Sequence, residues 1–386
     1  MRTLWGAFAA SALSTACGLG EAGDGSPATG DDAGATETGA AATGPGEGGS
    51  TASDGGGATR EGGPSPGVDG GTAHGDGGPG TDAAPALPAI EFAPYFPTWT
   101  WGGGGYPYSS LVDLQQKASV NDVTIAFVLS GGGCVADQGI EQNLADVKAF
   151  LAAGGHVKVS FGGADGTYVE SQCADAASFA KALEDFVDAT GITDLDFDIE
   201  QDPVLTDAVN QLRGDALAMA QASRGIEVAF TLAANPDSGG SGGGLTAQGL
   251  SVVSHALASG VHVSHVNLMT MDYGDGFGGQ PLAPVAIGSL TDANAQLVGL
   301  GLSTTEAWRT LGVTAMIGKN DDSEVFSLDD ARTVAAFAIQ NRLGLVSFWS
   351  IDRDQICPSG ADYNTCSTVN TSNFQFSGIF QTVTTH

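Results

Sequence analysis

The chain has 386 residues, 59 of them Gly, and 13 Lys+Arg stand against 44 Asp+Glu for a formal charge of −31. That balance argues strongly against nucleic acid as a partner, because phosphate binding needs a basic surface, and it disfavours an anionic membrane surface. A neutral ligand such as an uncharged polysaccharide stays compatible, and the length fits two or three ordinary domains or one large α/β barrel.

Residues 1–17 read as an export signal, with Arg2, an apolar run from Leu4 to Leu13, and the small residues Ser14-Thr15-Ala16 before Cys17. The segment resembles a bacterial lipoprotein signal, which makes Cys17 a lipidation candidate; an ordinary cleaved signal with an incidental Cys is the alternative. An extracellular or cell-surface location is expected, with any membrane attachment through that lipid alone. No later run reaches the roughly 18 apolar residues of a membrane span. Residues 18–88 are nearly all Gly, Ala, Thr, Asp, Ser, Glu and Pro, with no Phe, Trp or Tyr. Such a segment cannot bury enough apolar area to offset chain entropy and is expected to be a disordered linker. It lacks the aromatic platforms of a carbohydrate-binding module.

From Ile90 onward β-branched runs alternate with helical patterns. Strands are predicted at 90–96, 123–129, 156–161, 193–199, 226–232, 264–271, 311–317 and 345–350. Helices are predicted at 109–119, 140–153, 174–189, 204–223, 246–259, within 292–309, and at 328–342 and 374–383. Eight βα units over 89–386 predict a TIM (β/α)8 barrel. A doubly wound open sheet is the runner-up, but no G-x-G-x-x-G follows the first strand. Four cysteines besides Cys17 fit an oxidising compartment. Cys134 follows the second strand and Cys173 the third, on neighbouring loops; Cys357 and Cys366 both follow the eighth. The expected pairs are Cys134 with Cys173 and Cys357 with Cys366. Zinc is the rival reading, but no C-x2-C spacing is present.

The strongest chemical signal is Asp194-Leu195-Asp196-Phe197-Asp198-Ile199-Glu200. Residues two apart on a strand face the same side, so Asp196, Asp198 and Glu200 line one face and Leu195, Phe197 and Ile199 the other. In a barrel the acidic side points inward. Carboxylates buried together cannot all ionise near neutral pH, and the last, at the open end, becomes a general acid. A solvated edge strand would not carry so apolar an opposite face. An EF-hand needs a Gly and a loop that are missing here.

This stretch resembles the D-x-D-x-E signature of family 18 glycoside hydrolases, the chitinase family. Val159-Ser160-Phe161-Gly162-Gly163 is similar to that family's S-x-G-G motif. Met269-Thr270-Met271-Asp272-Tyr273-Gly274 stands where the family has a Met-x-Tyr-Asp-like motif. Phe348-Trp349-Ser350 stands where it places a Trp under the reacting sugar. The run 312–318 with Asn320-Asp321, and Trp349-Ser350-Ile351-Asp352-Arg353-Asp354, resemble the bacterial chitinase D-like branch. The resemblance covers residues 90–386 and implies a retaining, substrate-assisted mechanism. Glu200 would protonate the glycosidic oxygen, and the substrate's acetamido carbonyl would attack the anomeric carbon to give an oxazolinium ion. Asp198 would orient the acetamido N–H, with Asp196 sharing a proton with it. Chitin or chito-oligosaccharide is the implied partner, acted on by a monomer without cofactor or metal.

Two positions depart from the family pattern. Thr193 and Asp194 stand where the signature often opens Asp-Gly. Met271 stands where many members have a Tyr whose hydroxyl holds the acetamido oxygen, a donor Met cannot supply; strand parity nominates Tyr273 instead. Ser160, Gly162 and Gly163 read more as close packing beside strand four than as catalytic. Trp349 reads as a sugar platform rather than core. Trp99, Trp101, Tyr106 and Tyr108 extend the groove or pack their own loop. Asn320 and Asp321 are expected to bond sugar hydroxyls, and His156, His262 and His265 to be structural. A short connection after strand seven predicts an open groove and endo-type cleavage. The rivals are an endo-β-N-acetylglucosaminidase on glycans or cell wall and a non-catalytic sugar-binding relative.

Overall fold

The computed structural model describes residues 89–102, 104–236 and 242–385. The expected export signal, Cys17 and the 18–88 linker lie outside the described residues. Eight strands run parallel: β1 (Glu91–Phe92 and Tyr95–Pro97), β2 (Asp122–Val128), β3 (His156–Gly162), β4 (Asp194–Ile199), β5 (Glu227–Asn235), β6 (Val263–Met269), β7 (Leu311–Met316) and β8 (Leu345–Trp349). The first strand is split by Ala93-Pro94. Its lower half pairs with β8 and its upper half with β2. Pro94 has no N–H to contribute to a ladder. Ala93 N–H still donates to Val346 O (3.1 Å), while Pro94 O accepts from Thr124 N–H (3.0 Å). The sheet thereby closes on itself as a (β/α)8 barrel, and the open doubly wound alternative is excluded.

The helices that follow the strands are α1 (Leu111–Ala118), α2 (Leu144–Ala152), α3 (Ala176–Thr190), α4 (Asp207–Arg224), α5 (Ala247–Ala258), α6 (Ala283–Gly299), α7 (Leu328–Asn341) and α8 (Gln375–Phe380). Their ends follow local chemistry. Asp175 and Ser327 form capping boxes at the starts of α3 and α7, and Gly191 and Gly225 close α3 and α4 in the left-handed region. One expectation is corrected here. The sixth helix, placed within 292–309, begins at Ala283, and a separate short helix covers Thr304–Thr310. Pro284 stands in the first turn, where its missing N–H would have no partner in any case.

β4 shows why the barrel holds together. Leu195, Phe197 and Ile199 are at most 1% exposed and point at the helices. The Phe197 ring lies 5.5 Å from that of Phe161 on β3 and 6.5 Å from that of Phe179 on α3. The alternate residues face the barrel interior. At the N-terminal end of the barrel, Lys158 is buried and contacts Glu91 at 2.9 Å and Asp194 at 3.8 Å. Burial alone would raise the Glu91 carboxyl, but the charges of Lys158 and His265 hold it far below the usual range. His156, Glu91 and Asp194 bring ligand-type atoms within 4.8 Å of one another, but Lys158 already supplies the balancing positive charge there.

Two disulfides form, Cys134–Cys173 and Cys357–Cys366, with Cα separations of 4.7 and 5.2 Å. Behind the first, Arg213 on α4 is fully buried. It donates to Glu170 Oε1 (3.0 Å), Asn210 Oδ1 (2.8 Å) and Val204 O (2.8 Å), tying α4 to the loops after β3 and β4. Removing one partner of a buried pair leaves the other charge uncompensated. Arg213→Ala should therefore cost about 3–5 kcal/mol, measured as a lowered midpoint in urea denaturation.

Candidate active site

The cleft lies at the C-terminal ends of the strands and encloses about 270 Å³. Its walls include Asp198, Glu200, Met269, Met271, Asp272, Asp321 and Trp349. β-register assembles its floor. Ser160 on β3 sits opposite Asp196, and Thr231 on β5 opposite Asp198. Asp196 is buried, and its Oδ2 accepts from Ser160 Oγ (2.7 Å), with the Tyr95 hydroxyl 3.0 Å away; its Oδ1 accepts from Thr231 Oγ1 (2.9 Å). Asn267 Nδ2 carries the network on, donating to Thr231 Oγ1 (3.0 Å) and Thr314 Oγ1 (2.6 Å). Burial raises the Asp196 carboxyl, and the hydroxyl donors and the charge of Lys158 pull against that rise.

Asp198 differs. It is buried, and its Oδ1 has no hydrogen-bond partner among the described residues. Burial first, then the charges of Glu200 and Asp196, push its carboxyl well above the usual range. The proton sharing expected between Asp196 and Asp198 does not show as a hydrogen bond between them. The oxygens of Asp196 face Ser160, Thr231 and Tyr95 instead. Glu200 follows the end of β4, and its carboxyl is lifted to about 7 by burial and by the charges of Asp272, Asp165 and Asp321. Burial outranks like-charge repulsion for both acids, which refines the expectation from sequence. Tyr168 positions this corner: its hydroxyl accepts from Glu200 N–H (3.0 Å) and lies 2.8 Å from Gly163 O and 3.0 Å from Asp198 O.

Gly162 and Gly163 serve close approach. A Cβ on Gly162 would lie 2.1 Å from Asp198 O, and one on Gly163 would lie 2.7 Å from the Phe127 ring; both residues have positive φ. Trp349 lies along one wall, its ring 5.6 Å from Phe127 in a stacked arrangement and 5.7 Å from Tyr95. The four aromatic residues after β1 divide. Trp101 donates to Asp146 (2.9 Å), and Tyr106 stacks on the buried Tyr108, so these three pack their loop. Trp99 is 59% exposed and stands 6.0 Å from Trp349 at the rim.

Two placements differ from the sequence expectation. β6 ends at Met269 rather than Met271. Thr270 N–H still donates to Thr314 O (2.8 Å), but Asp272 then takes φ 49° and ends the strand parity. Tyr273 consequently leaves the cleft; its hydroxyl lies 3.4 Å from Ser289 on α6. Asn320 is fully buried and donates to Met316 O (2.9 Å) and Gly318 O (3.1 Å) while accepting from Asp272 N–H (3.2 Å). It holds Asp272 rather than facing ligand. Asp321 N–H donates to Asp272 Oδ1 (2.9 Å), and Gly274 N–H to Asp322 Oδ2 (2.8 Å). This turn after β7 fixes the carboxyl of Asp272, which burial and the charges of Asp321 and Asp322 raise to about 6. Sequence reasoning missed Tyr95, Thr231, Tyr168 and Thr314. A lone hydroxyl in a strand carries no signal until register places it beside an acid.

The site can deliver a proton at neutral pH beside a flat aromatic wall. The Glu200 carboxyl should titrate with a midpoint near 7 by carbon-13 NMR, and Asp272→Asn should move that midpoint down by removing a neighbouring negative charge. An unmoved midpoint would remove Asp272 from the causes of the lift, leaving burial with Asp165 and Asp321.

No protein-family model matches the chain. It is 36% identical over 267 residues to the probable bifunctional chitinase/lysozyme of Escherichia coli (strain K12), covering 63% of this chain and 29% of that protein. It is 34% identical over 293 residues to endochitinase 11 of Metarhizium anisopliae, covering 70% of this chain and 53% of that one. The chain thus spans less than a third of the first relative and about half of the second. The catalytic domain of the hyperthermophilic chitinase from Pyrococcus furiosus superposes with a TM-score of 0.66 at 30% identity, over 77% of this chain and 96% of that one.

Proposed function

This chain belongs to the chitinase family, glycoside hydrolase family 18, and on that premise we propose that it is an exported enzyme cleaving β-1,4 bonds of N-acetylglucosamine polymers. The observation that carries the proposal is the pair Asp198 and Glu200, two raised carboxyls meeting in a cleft walled by Trp349. Glu200, protonated up to about pH 7, donates to the glycosidic oxygen as the bond breaks. The substrate's own acetamido oxygen closes on the anomeric carbon, so no carboxylate of the site has to act as the nucleophile. Asp198 has an oxygen without a protein partner, available to the acetamido N–H. As the oxazolinium ion forms, the proton of Asp198 passes to Asp196, the sharing that the family resemblance implies, and the Asp198 carboxylate left behind is stabilised by the positive charge beside it. Glu200, now a carboxylate, takes a proton from the water that opens the ring.

The motifs at 312–321 and 349–354 favour the chitinase D-like branch within the family. The signal at 1–17, with Cys17 for a lipid anchor, and the linker at 18–88 complete the proposal as a monomeric catalytic domain held outside the cell. An endo-β-N-acetylglucosaminidase would use the same acids, because the subsites select the polymer.

Release of a chromogenic leaving group from chitotriose tests the acids. Glu200→Gln and Asp198→Ala should each lower kcat by about a hundredfold or more, the range expected for loss of a general acid or a charge-stabilising group. Denaturation midpoints should change little. An inactive native protein would sink the reading, and an unaltered rate in Asp198→Ala would refute substrate assistance. Chitohexaose tests the mode of attack: mixed products from internal cuts are expected, and disaccharides peeled from one end would contradict endo cleavage.

A further inference from the structure

The cleft holds one polar side chain that neither the motifs nor the acid network uses. Asn364 lines the cleft and is exposed. Its side-chain amide makes no hydrogen bond to the described residues; only its backbone N–H is engaged, donating to Asp362 Oδ1 (3.2 Å). Apart from the indole N–H of Trp349, the other polar side chains around the cleft are of two kinds. Asp198, Glu200, Asp272 and Asp321 are carboxyls. Tyr95, Thr231 and Thr314 are hydroxyls drawn into the floor network around Asp196 and Asn267. Asn364 is the only carboxamide among the described lining residues. It offers two N–H donors and a carbonyl acceptor, and it carries no charge.

Its support is unusual for a residue outside the barrel. Asn364 sits in the one-turn helix Tyr363–Thr365, inside the loop closed by Cys357–Cys366. The loop is fastened to the turn that holds Asp272. Lys319 Nζ stands 4.5 Å over the Tyr363 ring, and Lys319 N–H donates to Ser367 O (3.0 Å). On the other side Gln355 Nε2 donates to Thr365 O (2.8 Å). A cross-linked loop samples fewer conformations, so less ordering remains to be done when a ligand arrives.

We propose that Asn364 is a substrate-contacting specificity residue, its amide hydrogen-bonding the hydroxyl or acetamido groups of a neutral sugar, and that the Cys357–Cys366 disulfide holds it ready for that contact. The inference rests on the glycosidase reading of the cleft. It concerns binding, so it is tested apart from turnover. The full chain carrying Glu200→Gln is titrated with chitohexaose, read by intrinsic tryptophan fluorescence or calorimetry. Asn364→Ala in that background should weaken Kd about three- to tenfold, the range for one neutral hydrogen bond. Cys357→Ser with Cys366→Ser should weaken it by a similar factor. All three substitutions together should be no weaker than the worse of the two variants, because both act through one contact. Unchanged affinity in Asn364→Ala overturns the proposal, and so does full additivity, which would give the disulfide a separate role. Should the cysteine variant fail to fold, Asn364→Ala alone still decides the contact. Cleavage by the native chain judges the activity reading separately: affinity that depends on Asn364 without turnover would leave this inference standing and remove that one.

Discussion

Taking the carboxyls of β4 out of water is the constraint from which the rest of the site follows. Asp194, Asp196 and Asp198 are each at most 5% exposed inside one barrel, and burying an acid costs free energy unless it is neutralised or hydrogen-bonded. The three solve the problem differently. Asp194 faces a buried lysine, Asp196 is surrounded by hydroxyls, and the Asp198 carboxyl is pushed well above the usual range. Asp194 and Asp198 each keep one oxygen without a partner among the described residues, and burial lifts the Asp194 carboxyl to about 6. What sets Asp198 apart is its place at the cleft end of the strand. An acid with a full set of partners would be a poor proton donor, and Asp198 keeps an oxygen without one at the cleft.

The barrel also segregates charge. The N-terminal end of the barrel carries Lys158 and His265 against Glu91 and Asp194, while the opposite end gathers Asp198, Glu200, Asp272 and Asp321 with few cations. Such an end repels anions and suits an uncharged polymer. Within it the turn after β7 does mechanical work. Asn320, Asp321 and Asp322 hold the segment around Asp272 by hydrogen bonds from three directions, so a loop residue is kept nearly as fixed as one on a strand.

The legible parts of the sequence were those with local period. The acidic and apolar faces of β4 were readable because strand alternation depends on nothing outside the strand. The disulfide pairs were readable from the order of loops on one barrel end. Residue roles that depend on another strand's register were not. Thr231 and Tyr95 look like ordinary strand residues until β5 and β1 set them beside Asp196. Asn320 looks like a ligand-facing amide until its burial against Met316 O and Gly318 O is seen. Tyr273 was misplaced because parity holds only while the strand lasts, and a positive φ at Asp272 ends it. The start of α6 was missed because Pro284 reads equally as a loop residue or as the first turn of a helix.

The split first strand bears on when this barrel can exist. β1 supplies the pairing for both β8 and β2, and Ser347 Oγ on β8 donates to Ala93 O across 254 residues of sequence. The ring has no closed form until the last strand has arrived. Strands β2 to β7 can add to one another in order as the chain emerges, but until then the growing sheet has two open edges, on β1 and on β7, and β8 will cover both. Contacts of such separation are slow to form, and unpaired edges invite wrong partners. A chain made from its N-terminus therefore holds its acids in an unfinished barrel almost to the end, and gains its water-excluding cleft in the same step that completes the fold.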